Sequence, residues 1–225
     1  MNKQGPGKIS WTDYTWNPIK GLCPVGCWYC YARAMYKRFG WDDTLHGDEN
    51  EVIAPLKLKK PSRIFVCSMM ELFHPKIEKH WRDTIFEAIR ICPQHTFQIL
   101  TKLPQNIDRK MPDNVWLGTS ITGENGDDWK SGVLEKIEAK VKFVSYEPML
   151  DFPGYGFLRY GMMPFRGKLD WVILGRLTGY GHKYDPERYW IEAIVENAKE
   201  WKIPIFLKDN LRNIWGEPLI QEWPE

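Results

Sequence analysis

Three of the five cysteines in this 225-residue chain lie within eight residues, at Cys23, Cys27 and Cys30, in the spacing C-x3-C-x2-C. Thiolates bind soft metals, chiefly zinc and iron–sulfur clusters. A structural zinc ion requires four ligands, so the fourth would have to come from elsewhere, such as His46 or His74. A cubane cluster normally takes four cysteines, so three would leave one iron open to a small molecule.

The bulk composition describes an ordinary globular protein and indicates no particular partner. Hydrophobic residues make up 43% of the chain, charged residues 27%, and the net charge is +2. The N-terminal segment has no apolar core, and no apolar run approaches the roughly 20 residues of a membrane-spanning helix. We therefore expect a cytoplasmic protein, in which clustered cysteines stay reduced and usually bind metal.

Short β-rich runs alternate with helical stretches along the chain. The predicted strands cover 63–70, 96–102, 115–121, 141–149, 169–175 and 203–209. The predicted helices cover 31–39, 76–92, 130–140 and 186–201, the last with Pro186 in its first turn. Such alternation favours parallel strands joined by crossover helices. We predict an α/β fold, a partial (β/α)6 TIM-like barrel, in one domain over residues 1–225.

Polar residues recur where the predicted strands end. In folds of this type, chemistry occurs at the carboxyl ends of the strands. Ser and Thr at such positions also cap helices, and isolated lysines are often only solvated, so each residue alone has an ordinary structural explanation. Their recurrence at one end favours a site formed by Ser68, Glu71, Thr101, Lys102, Thr119, Ser120, Ser145, Glu147, Arg176, Thr178, Lys208 and Asp209.

The cysteine motif, with the aromatic Tyr29 before its last cysteine, resembles the signature of the radical S-adenosylmethionine (radical SAM) superfamily. A further resemblance covers nearly the whole chain. The segments "WTDYTWNPIKG", "IFVCSMMELFHP", "FQILTK", "VWLGTSI", "KFVSYEPML" and "DWVILG" are similar to a phage- and prophage-associated family of radical-SAM-like proteins. That family is distantly similar to the spore photoproduct lyases, which repair DNA.

The resemblance implies a barrel of the radical SAM type and two cofactors, a [4Fe-4S] cluster and S-adenosyl-L-methionine (SAM). It implies that Cys23, Cys27 and Cys30 hold the cluster, and that SAM is reductively cleaved there to a 5'-deoxyadenosyl radical, which abstracts hydrogen from the substrate. The protein would supply orientation and a dry cavity. Tyr29 would lie against the adenine of SAM.

The resemblance also assigns roles to residues at the strand ends. Ser68 would accept a hydrogen bond from the methionyl amine, Lys102 would meet the methionyl carboxylate, and Ser120 would bond a ribose hydroxyl. Glu71 would lie near the methionine end. Cys67 would be the catalytic thiol that returns a hydrogen atom to the product radical, although a free cysteine is more often a small buried apolar residue.

The chain departs from the resembling families at three places. It reads "SMME" where the superfamily often has Gly-Gly-Glu, and "GRLTG" where the phage-type relatives have Gly-Gly-Glu-Ser-Gly. It reads "FLKDN" near its end, in place of "FFKQW". The roles of Glu147, Arg176 and Lys208 are therefore not given by the resemblance.

The resemblance points to a nucleobase, nucleotide or nucleic acid as substrate, and to an external one-electron reductant. Phosphate contacts could come from Lys59, Lys60, Arg63 and Arg176, although such charges are often only solvated. A partner protein could close the barrel mouth. Two alternatives stay open, a zinc-stabilised nucleic-acid-binding module without catalysis and a simple electron-transfer iron–sulfur protein.

Overall fold

The computed structural model describes residues 1–5, 7–152 and 169–225. Contacts gather the chain into two compact units, Met1–Trp116 and Leu117–Glu225. In the described residues, no helix is long and apolar enough to cross a membrane. The single domain expected over residues 1–225 stays a prediction.

The first unit is built on a mostly parallel sheet. Its strands are β1 (Asn2–Lys3), β2 (Tyr14–Trp16), β3 (Ile19–Lys20), β4 (His46–Gly47), β5 (Arg63–Val66) and β6 (Thr96–Thr101). β2 runs parallel to β5, with Trp16 opposite Val66, and β5 runs parallel to β6. β1 pairs antiparallel with β2, while β3 and β4 form a separate antiparallel pair. The apolar runs of β5 and β6 are buried, as expected for inner parallel strands.

The helices of the first unit are α1 (Tyr31–Phe39), α2 (Glu49–Val52) and α3 (Lys79–Arg90), with 3-10 turns at Ala54–Lys57 and Pro104–Asn106. The predicted helix over 31–39 is confirmed. α3 begins later than predicted because Glu78, with φ −62° and ψ 140°, is extended and stands at its N-cap. Its helically spaced Ile85 and Ile89 are buried, which gives the helix its packing face.

Strand β7 (Val115–Ile121) contains the boundary between the two units. The second unit also contains strands β8 (Val141–Tyr146), β9 (Trp171–Leu174) and β10 (Ile205–Leu207). Its helices are α4 (Trp129–Glu135), α5 (Arg188–Glu200) and α6 (Arg212–Trp215), with 3-10 turns at Glu124–Gly126 and Asp209–Leu211. β8 pairs parallel with β9, and β9 pairs parallel with β10.

The three strands β8, β9 and β10 bury a different set of side chains on each face. Side chains alternate along a strand, so every second residue faces the same way. One face packs on α5, whose buried residues recur at helical spacing. The core that the strands share with α5 contains Val144, Tyr146, Val172, Leu174, Ile205, Leu207, Ile191, Ile194, Val195 and Ala198. The opposite face carries an aromatic row in which Phe143 contacts Trp171 and Trp171 contacts Phe206.

The structure confirms the predicted α/β class and the mostly parallel pairing of its strands, while the six-unit barrel stays a prediction. β7 matches its predicted range. The strand predicted over 63–70 ends at Val66, since Cys67 adopts a positive φ of 56°. Pro186 was wrongly placed in the first helical turn, because the extended Glu187 is the N-cap of α5. The strand Tyr14–Trp16 was missed by the sequence prediction.

Gly118 of β7 gives a direct test of packing in the second unit. An added Cβ there would overlap the ring of Phe143, which is fully buried. We expect Gly118→Ala to lower the free energy of unfolding by about 1–3 kcal/mol, the usual cost of overpacking. In contrast, an added Cβ at Gly132 of α4 meets nothing within 4 Å, so Gly132→Ala should raise it by about 0.5–1 kcal/mol. Urea denaturation of both variants checks this, and equal stability of the two would contradict the packing.

Candidate cofactor site in the cysteine loop

The three clustered cysteines lie on one loop of the first unit, between β3 and α1. Cys30 is the N-cap residue of α1, and its backbone N–H donates to the carbonyl of Cys27 at 3.2 Å. Gly26 turns the loop with φ +73°, a left-handed conformation that favours glycine. Cys23, Cys27 and Cys30 are free thiols of intermediate burial. The loop therefore presents its thiols between the interior and the solvent.

Cys23 is held by the backbone of the chain around it. Burial raises the pKa of its thiol, while the backbone N–H groups of Val25 and Glu71 bond the sulfur and act in the opposite direction. The carbonyl of Cys23 accepts from the Arg33 guanidinium at 3.1 Å. Cys23 is also an electrostatic neighbour of Cys30. The first cysteine of the motif is thus bound to the segment that follows β5.

The arrangement of the thiols bears on which metal group they fit. Across the described residues, no three His, Cys, Asp or Glu side chains are grouped to hold one metal ion. A structural zinc ion and a cubane cluster would each require the three thiols to converge on one metal group. His46 bonds the carbonyl of Thr44 through Nδ1, and His74 accepts from the backbone of Lys76. Free thiols on a short loop, with backbone N–H groups at a sulfur, fit a cubane cluster.

Glu71 lies behind the loop and connects two strand ends. Its side chain is 5% exposed, and its carboxylate accepts from Thr101 Oγ1 at 2.6 Å, from the Lys102 backbone at 2.7 Å and from the Phe73 backbone at 3.1 Å. Burial raises the pKa of this carboxyl group, and the three hydrogen bonds oppose that effect. Both carboxylate oxygens are therefore engaged by the protein, at the point where β5 and β6 end.

Lys102 and Tyr29 bring the end of β6 to the cysteine loop. Lys102 Nζ donates to the Tyr29 hydroxyl at 3.2 Å and lies 5.3 Å from the centroid of the Tyr29 ring. The contact combines a hydrogen bond with a cation–π interaction. Since Tyr29 precedes Cys30, the ammonium group is placed beside the motif. The structure thus brings Glu71 and Lys102, from two separate segments, to Tyr29 and Cys23 of the cysteine loop.

Ser68 is oriented by Asn17, which was not predicted as a site residue. The hydroxyl of Ser68 and the side-chain amide of Asn17 bond each other in both directions, each at 3.2 Å. Asn17 Oδ1 also accepts from the Met69 backbone, and the Tyr31 hydroxyl donates to the Ser68 carbonyl at 2.9 Å. Asn17 could have been predicted as a site residue from its position directly after β2, which pairs with β5.

Cys67 occupies the interior beside Ser68. It is 4% exposed, and its backbone N–H donates to the Trp16 carbonyl at 2.7 Å. Burial is the largest of the effects that raise the pKa of its thiol, with smaller contributions from Glu71 and Cys23. The thiol therefore stays protonated at neutral pH and lies within electrostatic range of the cysteine loop.

Other predicted residues lie in the second unit or are already paired. Ser120 is buried within β7, and its carbonyl accepts from Lys130 Nζ at 3.4 Å. Arg176 pairs with Asp185 at 2.6 Å. In the first unit, Arg63 pairs with Asp13 at 3.3 Å. The two arginines expected to contact phosphate thus each have a carboxylate partner.

Two solved structures are similar to this chain, and both are of spore photoproduct lyase. One is the enzyme complexed with dinucleoside spore photoproduct, with a TM-score of 0.49 and 13% identity. The other is a double mutant with bound AdoMet and dinucleoside spore photoproduct, with a TM-score of 0.49 and 11% identity. Each comparison covers 88% of this chain and 63% of the other, so the chain spans less than two thirds of those proteins.

A search of curated proteins finds no match. A family model described as "Protein of unknown function (DUF5131)" matches residues 6–219. The match begins before β2, includes the whole cysteine loop and ends a few residues after α6. This chain therefore belongs to the DUF5131 family.

Proposed function

We propose that this protein is a cytoplasmic radical SAM enzyme whose [4Fe-4S] cluster is held by Cys23, Cys27 and Cys30. The observation that carries the proposal is the set of three free thiols at C-x3-C-x2-C spacing, on a loop bonded to the strand end that also anchors Lys102. When bound, the cluster and SAM together supply reductive cleavage to a 5'-deoxyadenosyl radical that abstracts hydrogen from the substrate. The electron comes from an external one-electron reductant.

Lys102 is the residue that would bind the methionyl carboxylate of SAM. Its Nζ donates to the Tyr29 hydroxyl, so the ammonium group is placed beside the loop. The buried Glu71 carboxylate holds the Lys102 backbone and thereby fixes where the side chain starts. A cation against a carboxylate in a site of low dielectric constant makes a strong charge-assisted hydrogen bond. Tyr29, which contacts the ammonium, would lie against the adenine.

Ser68 and Ser120 would bind other parts of SAM. The Ser68 hydroxyl, oriented by Asn17, would accept from the methionyl amine. Ser120 of β7 would bond a ribose hydroxyl. Cys67 is proposed as the thiol that returns a hydrogen atom to the product radical, because it is protonated, buried and next to Ser68. A packing role for Cys67 is the alternative, and normal turnover by Cys67→Ala would select it.

The substrate class proposed is a nucleobase, nucleotide or nucleic acid. A partner protein would complete the closure of the site around it. The alternative function is that of a non-catalytic iron–sulfur or zinc protein, used for electron transfer or nucleic-acid binding. A colourless protein that holds tetrahedral zinc and binds no SAM would favour the zinc form of that alternative.

Replacement of Cys23, Cys27 or Cys30 by Ala should abolish iron binding, because each thiolate is expected to hold a separate iron. The measurement is iron and sulfide content with visible absorbance after anaerobic reconstitution. Cys92→Ala is the matched control, since Cys92 is another free cysteine, buried at 1% exposure and outside the loop. The control should keep the brown chromophore. A triple loop variant that still held an air-sensitive chromophore would remove the cluster from this site.

Lys102→Met and Ser68→Ala should weaken SAM binding while the cluster survives. A hydrogen bond to a charged group contributes on the order of 1.5–3 kcal/mol, which corresponds to roughly ten- to a hundredfold in affinity. Isothermal titration with SAM on reconstituted protein measures the change. Lys79→Met is the control, because the Lys79 side chain is 71% exposed on α3. Unchanged affinity in both test variants would exclude these residues from the SAM site.

A further inference from the structure

Glu147, Gly175 and Lys208 form a row across the carboxyl ends of three neighbouring parallel strands of the second unit. The last residues of β8, β9 and β10 are paired in register, so the residues that follow them lie level. The Gly175 N–H donates to the carbonyl that ends β8 at 3.2 Å, and the Lys208 N–H donates to the carbonyl that ends β9 at 3.0 Å. The backbone hydrogen bonds between the strands therefore continue to Gly175 and Lys208. The resemblance that suggested the cofactors gives none of these residues a role.

An ion pair between Lys208 and Glu147 lies over Gly175, the central residue of the row. Lys208 Nζ donates to Glu147 Oε1, and the two side chains are 16% and 24% exposed. A Cβ added to Gly175 would lie 2.9 Å from Lys208 Cδ and 3.0 Å from Glu147 Cδ. The absence of a side chain at Gly175 is therefore what allows the carboxylate and the ammonium to meet there. Both groups still reach the solvent.

A buried hydroxyl lies on the same face of β8 as Glu147. Val144 and Tyr146 belong to the core shared with α5, so by strand alternation Ser145 points to the opposite face, together with Glu147 two residues later. Ser145 is 0% exposed, and its Oγ has no hydrogen-bond partner anywhere in the described residues. A buried polar atom without a protein partner usually bonds an ordered water or a ligand.

The nearby guanidinium does not make the row an anion site. Arg176 follows Gly175, but it is bound by the Asp185 carboxylate at 2.6 Å, by the Asn210 carbonyl at 2.8 Å and by the Gly181 carbonyl at 3.1 Å. The Glu147–Lys208 pair is itself neutral overall. The groups at these strand ends therefore offer paired donors and acceptors without a net charge for an ionic ligand.

We propose that Glu147 and Lys208, on the strand face that also carries the Ser145 hydroxyl, bind a neutral planar group with an N–H beside a C=O, as in the lactam edge of uracil, thymine or guanine. Among the described residues, Glu147 Oε2 has no hydrogen-bond partner and would accept from the N–H. Lys208 has further N–H groups beyond the one given to Glu147 and would donate to the C=O. The proposal deepens the proposed function by naming the group that the substrate presents, and it rests on that function for the reaction only.

The test is binding of uridine to the full-length protein, with and without reconstituted iron, measured by equilibrium dialysis. Thymidine and guanosine serve as further lactam probes, and N3-methyluridine removes the N–H while keeping the ring and the sugar. A site that hydrogen-bonds this N–H should bind N3-methyluridine about tenfold more weakly or worse. Equal binding of uridine and N3-methyluridine, or no binding of any lactam nucleoside, overturns the proposal.

Substitutions in the row test whether uridine binds there. Gly175→Ala should weaken uridine binding about tenfold, because the added Cβ displaces the Glu147–Lys208 pair. The control is Lys199→Met, which replaces an exposed lysine near the end of α5 and should leave uridine binding unchanged. The double variant Glu147→Leu/Lys208→Met keeps the row neutral, so it avoids an unpaired charge. It removes both the acceptor and the donor, so it should no longer prefer uridine over N3-methyluridine. Unchanged uridine affinity in Gly175→Ala, with thermal unfolding showing a folded protein, contradicts the proposal.

Iron content in the same preparations separates the two proposals. Protein that assembles a cluster but binds no lactam nucleoside overturns the lactam site alone. Protein that binds uridine through the row but never holds iron at the cysteine loop overturns the proposed radical SAM function and leaves the lactam site standing.

Discussion

The buried carboxylate of Glu71 is the interaction on which the cysteine loop depends. Taking a carboxylate out of water costs several kcal/mol unless hydrogen bonds replace its hydration. Here the replacement comes from Thr101, from the Lys102 backbone and from the Phe73 backbone, so the carboxylate can only be buried when β5 and β6 end side by side. The Glu71 backbone in turn bonds the Cys23 sulfur. One residue thus ties two strand ends to the first cysteine of the motif.

The same constraint explains why the proposed SAM-binding residues come from separate segments. Parallel strands in register bring their carboxyl ends to one edge, and the residues after β2, β5 and β6 supply Asn17, Ser68 and Lys102. Each of these side chains has a partner that limits its rotation, Asn17 with Ser68 and Lys102 with Tyr29. Groups held in this way need little reorganisation when a ligand arrives.

Much of this organisation could be predicted from local sequence patterns. Strand β7 and the helix after the cysteines match their predicted ranges because neighbouring residues determine them. The end of β5 could not be predicted, since "RIFVCSMM" stays apolar while Cys67 turns to a positive φ. β2 was missed because Tyr14–Trp16 is short and becomes a strand only through its pairing with β5.

Contacts between residues from different segments of the chain cannot be predicted from local sequence patterns. Nothing near Arg176 indicates that Asp185 neutralises it, and nothing near Glu71 indicates that Thr101 reaches it. Both contacts change the expected chemistry, because they decide which charges are available to a ligand. Ser145 is the opposite case. Its place near a strand end could be predicted from the sequence, but only the structure shows that its hydroxyl has no hydrogen-bond partner in the described residues.

The most direct test of the central claim is formation of 5'-deoxyadenosine by anaerobically reconstituted protein incubated with SAM and dithionite, followed by liquid chromatography. The account predicts that 5'-deoxyadenosine forms together with methionine, and that the Cys27→Ala protein forms none. Protein with a fully assembled cluster that leaves SAM intact under reducing conditions would contradict the account and favour an electron-transfer role.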